Sequence, residues 1–223
     1  MTNYSRFAIY YLPTGVLSKA GAAWLGWDVD KGVPCHQPDV EGIEDITKTP
    51  RKYGFHGTLK PPFRLAARTD IDGLARAVQM LATNLAPVQI DGLQISPIGR
   101  FLALIPIGDT TALAALAAQI VRDLDTFRAP PSAAELEKRR ASALNPAQEA
   151  NLLAWGYPYV LDQFRFHLTL SGKLTDAQRI IAETALAEHL PPLPTPYVID
   201  RIALVGERDD GMFQKIHSYT LTG

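Results

Sequence analysis

The sequence predicts an α+β protein with two similar lobes, antiparallel sheets, helices packed outside them and a central cleft. The phrase Phe-His-x-Thr-Leu occurs at 55–59 and again at 166–170, 111 positions apart (166 − 55) in a chain of 223 residues. Each copy is followed by the same predicted order of helix, strand, turn and strand. A shared order of this length indicates an internal duplication. We therefore expect one domain, 1–223, made of two pseudo-symmetric repeats at roughly 53–107 and 164–221.

The elements of the first half follow from hydrophobic periodicity and from the positions of proline and glycine. In order they are a strand at 7–12, a helix at 17–27, an irregular stretch at 28–52, the first motif strand at 53–59 stopped by Pro61-Pro62, a helix at 70–84 capped by Thr69 or Asp70, and strands at 88–95 and 100–107 joined by a turn.

The second half has the same kinds of signal. Its elements, in order, are a helix at about 111–127, a charged segment at 132–143 that we expect to be an exposed helix, a short helix from Asn145 to Trp155, the second motif strand at 164–171, a helix to Ala187 capped by Thr175 or Asp176, and strands at 197–206 and 212–221. Asp209-Asp210-Gly211 between the last two apolar runs predicts a hairpin.

Composition limits the possible functions. Hydrophobic residues make up 47% of the chain and charged residues 20%, as in an ordinary globular protein that can bury a core. The net charge of −1 excludes a global basic field for long nucleic acid, whereas a small phosphate ester or an RNA end stays possible. The single cysteine, Cys35, excludes an internal disulfide and a cysteine-based zinc site.

Targeting signals are not apparent in the sequence. The residues after Met1 lead straight into a predicted strand, without the pattern of a signal peptide, and no apolar run approaches the ~20 residues that span a bilayer. We therefore expect a cytoplasmic protein with no membrane partner. The oligomeric state stays open.

The two motif strands carry an unusual polar face. Side chains alternate along a strand, so each histidine shares a face with the threonine two residues later, while the phenylalanine and leucine point into a core. Extended by alternation, one face holds Gly54, His56, Thr58 and Lys60, and the other holds Arg165, His167, Thr169 and Ser171. If the strands lie side by side about a pseudo-twofold axis, two imidazoles and two hydroxyls meet in one cleft.

This set of side chains suits chemistry on a phosphodiester. Such a reaction needs a base for water, an acid for the departing alkoxide and donors for the phosphoryl oxygens. Histidine titrates near neutrality, so His56 and His167 are the candidate catalytic pair. The candidate phosphate-binding residues are Thr58, Thr169, Lys60 and Arg165. A cyclic phosphate suits the pair because ring strain helps the leaving group, so neither a metal nor another cofactor is expected.

Three segments, 51–63, 155–159 and 164–170, resemble the DUF1045 group of the 2H phosphoesterase superfamily, and the resemblance covers essentially the whole chain. That superfamily is named for two His-x-Thr/Ser-x motifs in a bilobal, duplicated α+β fold. The resemblance implies metal-independent handling of 2′,3′-cyclic phosphates or 2′–5′ linkages, and it carries over to His56, Thr58, His167 and Thr169. The group is labelled a phosphonate-metabolism protein from its genomic setting, which implies a phosphorylated ribosyl compound such as a 1,2-cyclic phosphate.

Several assignments remain open at this point. We take His56 as general acid and His167 as general base, an order that the orientation of the substrate would reverse. Lys60 and Arg165 have the alternative of extending to solvent, as strand-end cations often do. The candidates for lining the pocket are Tyr10, Tyr53 and Ser171, each with a structural alternative: a core or rim aromatic for Tyr10, tight packing beside Gly54 for Tyr53, and capping of a strand end for Ser171.

Three functions are consistent with these residues. The first is a phosphodiesterase for a small nucleotide or ribosyl cyclic phosphate. The second is an RNA-end 2′,3′-cyclic phosphodiesterase or 2′–5′ ligase, which the near-neutral net charge disfavours. The third is a non-catalytic module that binds a cyclic nucleotide. Two complete His-x-Thr pairs argue against the third, because binding needs donors but no acid–base couple.

Overall fold

The computed structural model describes residues 3–223 and confirms the α+β class. The strands are β1 (Phe7–Tyr11), β2 (Trp27–Asp28), β3 (Val33–Pro34), β4 (Gly57–Phe63), β5 (Val88–Ile90), β6 (Gly92–Ile98), β7 (Phe101–Ile107), β8 (Leu168–Thr169), β9 (Tyr197–Ile199), β10 (Arg201–Glu207) and β11 (Phe213–Thr220). The helices are α1 (Gly15–Leu25), α2 (Ile43–Arg51), α3 (Ile71–Thr83), α4 (Thr111–Asp123), α5 (Ala133–Arg140), α6 (Pro146–Trp155) and α7 (Asp176–His189).

One antiparallel sheet of seven strands contains both motif strands. Its order is β11-β10-β1-β4-β8-β7-β6, so β4 and β8 are neighbours near the middle. The neighbour of β8 is β7, whereas the corresponding place beside β4 is taken by β1 from the start of the chain. Strands β5 and β9, which precede β6 and β10, pair with each other in a separate two-stranded sheet. The two halves therefore meet along one continuous sheet.

The two faces of the sheet have different surroundings, as the alternation along β1 shows. Phe7, Ile9 and Tyr11 belong to the large apolar core that also contains the buried faces of α1, α3, α4 and α7. Tyr10 and its face neighbours belong to a smaller cluster on the opposite face. The large core fixes the sheet, since each fully buried aliphatic side chain contributes about 1.5–3 kcal/mol.

Local capping rules predicted several helix ends correctly. The Asp70 carboxylate accepts a hydrogen bond from the backbone N–H of Gly73 at the start of α3. Asn145 and Thr175 begin α6 and α7 with reciprocal bonds to a glutamine three residues later, the arrangement called a capping box. Helix α1 ends at Leu25, two residues before the expected position, because the left-handed Gly26 caps it there.

The motif strands are shorter at their beginnings than expected. Gly54 has a φ of 72°, which bends the chain, and β4 starts only at Gly57. Pro61 and Pro62 do not stop β4, which continues to Phe63, because β8 pairs with β4 only at Gly57 and leaves that edge open beyond it. Strand β8 has two residues because the carbonyl of Leu102 accepts bonds from two successive N–H groups just after it.

Part of the stretch that the sequence predicts as irregular is a helix. Helix α2 occupies 43–51, with Ile43, Ile46 and Pro50 among its buried residues at helical spacing. Pro50 in the last turn hides the helical pattern from local rules, since proline is ordinarily a helix breaker. Within the part of the chain that the structure describes, no helix is both long enough and apolar enough to cross a bilayer.

Candidate active site

The pairing of β4 with β8 brings the two motifs together. Gly57 lies opposite Leu168 in an antiparallel register. This register puts His56 across from Thr169 and His167 across from Thr58, with directly opposed side chains about 4.5–5.5 Å apart at Cβ. The four polar side chains form a compact group on the face opposite the large core, and each pair joins a histidine of one half to a threonine of the other.

Both imidazole rings are held in the same way. Nδ1 of His56 donates to the carbonyl oxygen of Gly54 at 2.9 Å, and Nδ1 of His167 donates to that of Arg165 at 2.8 Å. A carbonyl oxygen only accepts, so the proton of each neutral ring is on Nδ1. Each Nε2 is then available for proton transfer. That of His56 lies 3.0 Å from the Thr58 hydroxyl, which donates to it when the ring is neutral.

His56 is enclosed by aromatic side chains. Its side chain is 9% exposed, and its ring stacks on Tyr10 with centroids 3.7 Å apart and planes 21° apart. The Tyr53 ring lies 6.2 Å away at a tilt. Burial lowers the pKa of His56 to about 4, the bond to Gly54 opposes this, and repulsion from His167 adds to it. His56 is therefore neutral at pH 7.

His167 is half-buried and has fewer neighbours. Its ring centroid lies 5.8 Å from that of Phe101. Burial lowers the pKa of His167 as well, and the hydrogen bond to the Arg165 carbonyl opposes the shift. Both imidazoles are thus free bases near neutrality in the unliganded protein, and a bound phosphate anion would raise the pKa of each.

Two cavities, each of about 520 Å³, flank the two histidines and two threonines, and Phe101 lines both of them. His56 and Thr169 line one cavity, and Thr58 and His167 line the other. Each cavity therefore holds one histidine from one half and one threonine from the other. Volumes of this size fall within the range of small-molecule sites, about 300–1,000 Å³.

Lys60 does not share this face, so that prediction is wrong. Ile9 of β1 is opposite Lys60 while Tyr10 is opposite Thr58, so a β-bulge leaves Leu59 as an extra residue and reverses the alternation. The Lys60 side chain is 2% exposed, and its Nζ donates to the carbonyl of Val121 at 2.9 Å and to Asp125 at 3.2 Å. Burial lowers the pKa of Lys60 to about 8, and Asp125 opposes the shift.

Ser171 shapes the second strand as well as bordering a cavity. Its Oγ accepts from the N–H of Leu102 and donates to the carbonyl of Gly172, both at 2.9 Å, and the side chain is buried. It lies on the wall of the His56 cavity. Because its hydrogen bonds are already made, the capping alternative describes Ser171 better than a ligand contact does.

The remaining sequence candidates occupy different places. Arg165 is exposed and lines the His167 cavity, and Tyr53 lines the His56 cavity. Tyr10 is 1% exposed and supports His56 from beneath the ring, so the core alternative is correct for it.

Some residues of the site were missed from the sequence. Phe101 borders both cavities, and Tyr157 and Phe164 line the one beside His167. Tyr157 lies in a segment that carries the family resemblance, whereas Phe101 has no local signal. Within residues 3–223 no three histidine, cysteine, aspartate or glutamate side chains cluster as a metal site would.

Comparison with known proteins gives a family and several relatives. The family model described as "Protein of unknown function (DUF1045)" matches residues 58–214. A protein of Janthinobacterium sp. (strain Marseille) named "Ribose 1,5-bisphosphate phosphokinase PhnN" is 32% identical over 219 residues, which cover 93% of this chain and 48% of that protein. A protein of the same name from Laribacter hongkongensis (strain HLHK9) is 30% identical over 178 residues, which cover 77% of this chain and 41% of that protein.

The chain thus spans about half the length of these curated relatives. Among solved structures, TT0787 of Thermus thermophilus is 15% identical, with 98% of each chain covered and a TM-score of 0.47.

Proposed function

The chain belongs to the DUF1045 family, and from this premise we propose that it is a metal-independent phosphoesterase that opens a small cyclic phosphodiester by two-histidine catalysis of the 2H type. One observation carries the proposal: two imidazoles donate from Nδ1 to backbone carbonyls and so keep Nε2 unprotonated, and the strand register sets each ring across from a threonine of the other motif. Neither a structural role nor simple binding requires this duplicated arrangement.

The proposed reaction is a displacement at phosphorus. One Nε2 takes a proton from water as the water oxygen forms a bond to phosphorus. The ring P–O bond breaks, and the other imidazole, protonated on Nε2, donates that proton to the departing alkoxide. The hydroxyls of Thr58 and Thr169 donate to the non-bridging oxygens, where charge collects. The product is a phosphomonoester, and the two histidines have exchanged their protonation states.

The environments of the two rings favour one order of roles. His56 has a pKa of about 4, so it holds a free base over the whole neutral range. His167 is less enclosed and gains a proton more readily when an anion binds. We therefore propose His56 as base and His167 as acid, the reverse of the order first taken from the sequence.

The substrate we propose is a ribosyl cyclic phosphate in phosphonate metabolism. The family resemblance points to that metabolism, and the curated relatives carry the name of an enzyme of ribose 1,5-bisphosphate. The cavity volumes suit a sugar phosphate or a nucleotide. An RNA-end phosphodiesterase or ligase and a non-catalytic binding module are the alternatives that the test must distinguish.

The test is metal-free turnover on a panel of substrates. The panel contains ribose 1,2-cyclic phosphate 5-phosphate, the four nucleoside 2′,3′-cyclic phosphates and a 2′–5′ dinucleotide, each with and without EDTA. We expect the ribosyl compound to be preferred, EDTA to have no effect, and His56→Gln and His167→Gln each to lower kcat by about 10²-fold or more. His36→Gln, at an exposed histidine outside both cavities, is the matched control.

The alternatives give distinct results. Preference for the dinucleotide or for a nucleoside 2′,3′-cyclic phosphate would favour the RNA enzyme. Tight binding of a cyclic nucleotide that is recovered intact would favour the binding module. Equal turnover by the wild type and both histidine variants would contradict the two-histidine mechanism.

A further inference from the structure

A third cavity, of about 250 Å³, lies beside the site and is strongly basic. Six cationic side chains line it: Arg6, Lys52, Arg64, Arg128, Lys138 and Arg139. Five segments supply them: the residue before β1 (Arg6), the segment before β4 (Lys52), the residue after β4 (Arg64), the segment after α4 (Arg128), and α5 (Lys138 and Arg139). Among the described residues that line this cavity, Glu135 is the one with a carboxylate.

Half of these cations have carboxylate partners. Arg6 pairs with Glu207, Arg64 with Glu135, and Arg128 with Asp125, each through two hydrogen bonds. These bidentate pairs fix the guanidinium planes at the wall, and Arg128 also donates from Nη2 to the carbonyl of Ala154. Each guanidinium has five N–H groups, so each keeps some that no protein group in the described chain occupies.

The other three cations are Lys52, Lys138 and Arg139. Across residues 3–223, no carboxylate lies within 4.0 Å of their charged nitrogen atoms. The Lys52 ammonium lies 4.5 Å from the centre of the Tyr53 ring, and the Arg139 guanidinium lies 4.5 Å from that of Tyr157. The cavity therefore concentrates three uncompensated positive charges in a chain whose net charge is −1.

The cavity adjoins the candidate active site through these same aromatic rings. Tyr53 lines both the basic cavity and the His56 cavity. Tyr157, which carries Arg139 over its ring, lines the His167 cavity. Arg6 precedes β1 and by alternation is on the same face as Tyr10, the residue beneath His56. The basic cavity and the His56 cavity therefore share a wall, the Tyr53 side chain.

We infer that this cavity binds a second phosphate of the substrate, a phosphomonoester on the sugar carbon remote from the cyclic phosphate; this rests on the proposed function. A phosphomonoester carries about two negative charges near pH 7 and three acceptor oxygens, and arginine forks match this geometry. A cavity needs about 10–15 Å³ to hold one water molecule. The basic cavity, at about 250 Å³, therefore has room for a phosphate group with some of its hydration. The substrate class is then a sugar that carries two phosphate groups.

The test compares two substrates that differ only in the second phosphate: ribose 1,2-cyclic phosphate with and without a 5-phosphate. For the wild type we expect kcat/KM to be at least about tenfold higher with the 5-phosphate. In Lys138→Gln/Arg139→Gln this preference should fall about tenfold or more, since hydrogen bonds to charged groups are lost. Lys19→Gln, at an exposed lysine of α1, removes a charge elsewhere and should leave the preference unchanged.

A binding measurement separates the failure of this inference from failure of the proposed function. Calorimetry with ribose 5-phosphate should give binding that Lys138→Gln/Arg139→Gln weakens and His167→Gln preserves, even if neither cyclic compound is turned over. Equal kcat/KM for the two substrates in the wild type, or a preference that the double variant retains, would overturn the second-phosphate site while leaving the phosphoesterase intact.

Discussion

Gly57 lies directly opposite Leu168, and this pair aligns the two halves of the candidate site. A side chain here requires the Phe166 ring to move, because a Cβ on Gly57 would lie 2.5 Å from that ring. Phe166 is itself buried in the large core and immediately precedes His167. The close approach of one motif's backbone to the other motif's aromatic ring therefore sets where the two histidines stand relative to each other.

Replacing Gly57 with alanine should disturb both stability and turnover. The added methyl group displaces the Phe166 ring and the backbone beside His167, and overpacking of this kind costs about 1–3 kcal/mol. We expect Gly57→Ala to lower the free energy of unfolding by that amount, measured by urea denaturation, and to lower kcat in the fraction that remains folded. Gly73→Ala, in α3, is the control and should leave kcat unchanged. Wild-type kcat in Gly57→Ala would show that the register tolerates the change.

The threonine hydroxyls should matter for catalysis more than for folding. Thr58→Val keeps the volume of the side chain and removes the donor to the phosphoryl oxygens. Loss of one such donor costs about 10²–10³ in kcat in comparable sites. Thr58→Ser, which retains a hydroxyl, should recover most of the activity, and Thr169→Val and Thr169→Ser should behave in the same way. A Thr58→Val variant with wild-type kcat would mean that the phosphoryl donors lie elsewhere.

The pH dependence of kcat/KM should have its maximum on the acid side of the ordinary imidazole pKa of about 6.5. The free enzyme needs one neutral and one protonated imidazole, and burial lowers both pKa values, that of His56 to about 4. As pH rises above both values the required proton is lost, so kcat/KM falls about tenfold per pH unit. The kcat profile should be shifted to higher pH, because the bound phosphate anion raises the pKa of both rings.

Initial rates over about pH 4–8 check this, with circular dichroism at each pH to separate titration from unfolding. A kcat/KM maximum above about pH 7.5 would contradict the assignment of both proton-transfer groups to these histidines.

Much of the site follows from alternation, and the reason is local. His56 and Thr58, like His167 and Thr169, are two residues apart on an extended chain, so their shared face is set by backbone geometry alone. The caps at Asp70, Asn145 and Thr175 were equally predictable, because each forms its bond within three residues. The lateral pairing of the two motifs was expected from the predicted internal duplication, and β4 does pair with β8.

Features that depend on contacts between distant parts of the chain left no local pattern in the sequence. The bulge at Leu59 arises from the pairing of β4 with β1, about fifty positions earlier in the chain, so strict alternation carried Lys60 to the wrong face. The six cations of the basic cavity come from five separate segments, and the net charge of −1 gives no sign of them. Phe101 became part of the site only because β7 pairs with β8.

The position of Lys60 predicts a variant that separates folding from catalysis. Lys60→Gln removes a buried ammonium that bonds to the Val121 carbonyl and to Asp125, so we expect a loss of several kcal/mol in the free energy of unfolding, up to the ~3–5 kcal/mol typical of broken buried pairs. Arg128 still pairs with Asp125, which moderates the loss. Because Lys60 does not reach the cleft, kcat and KM of the folded fraction should match the wild type at room temperature. Arg165→Gln, at a cation that does line the His167 cavity, is the comparison and should raise KM. A raised KM in Lys60→Gln with unchanged stability would return Lys60 to the phosphate site.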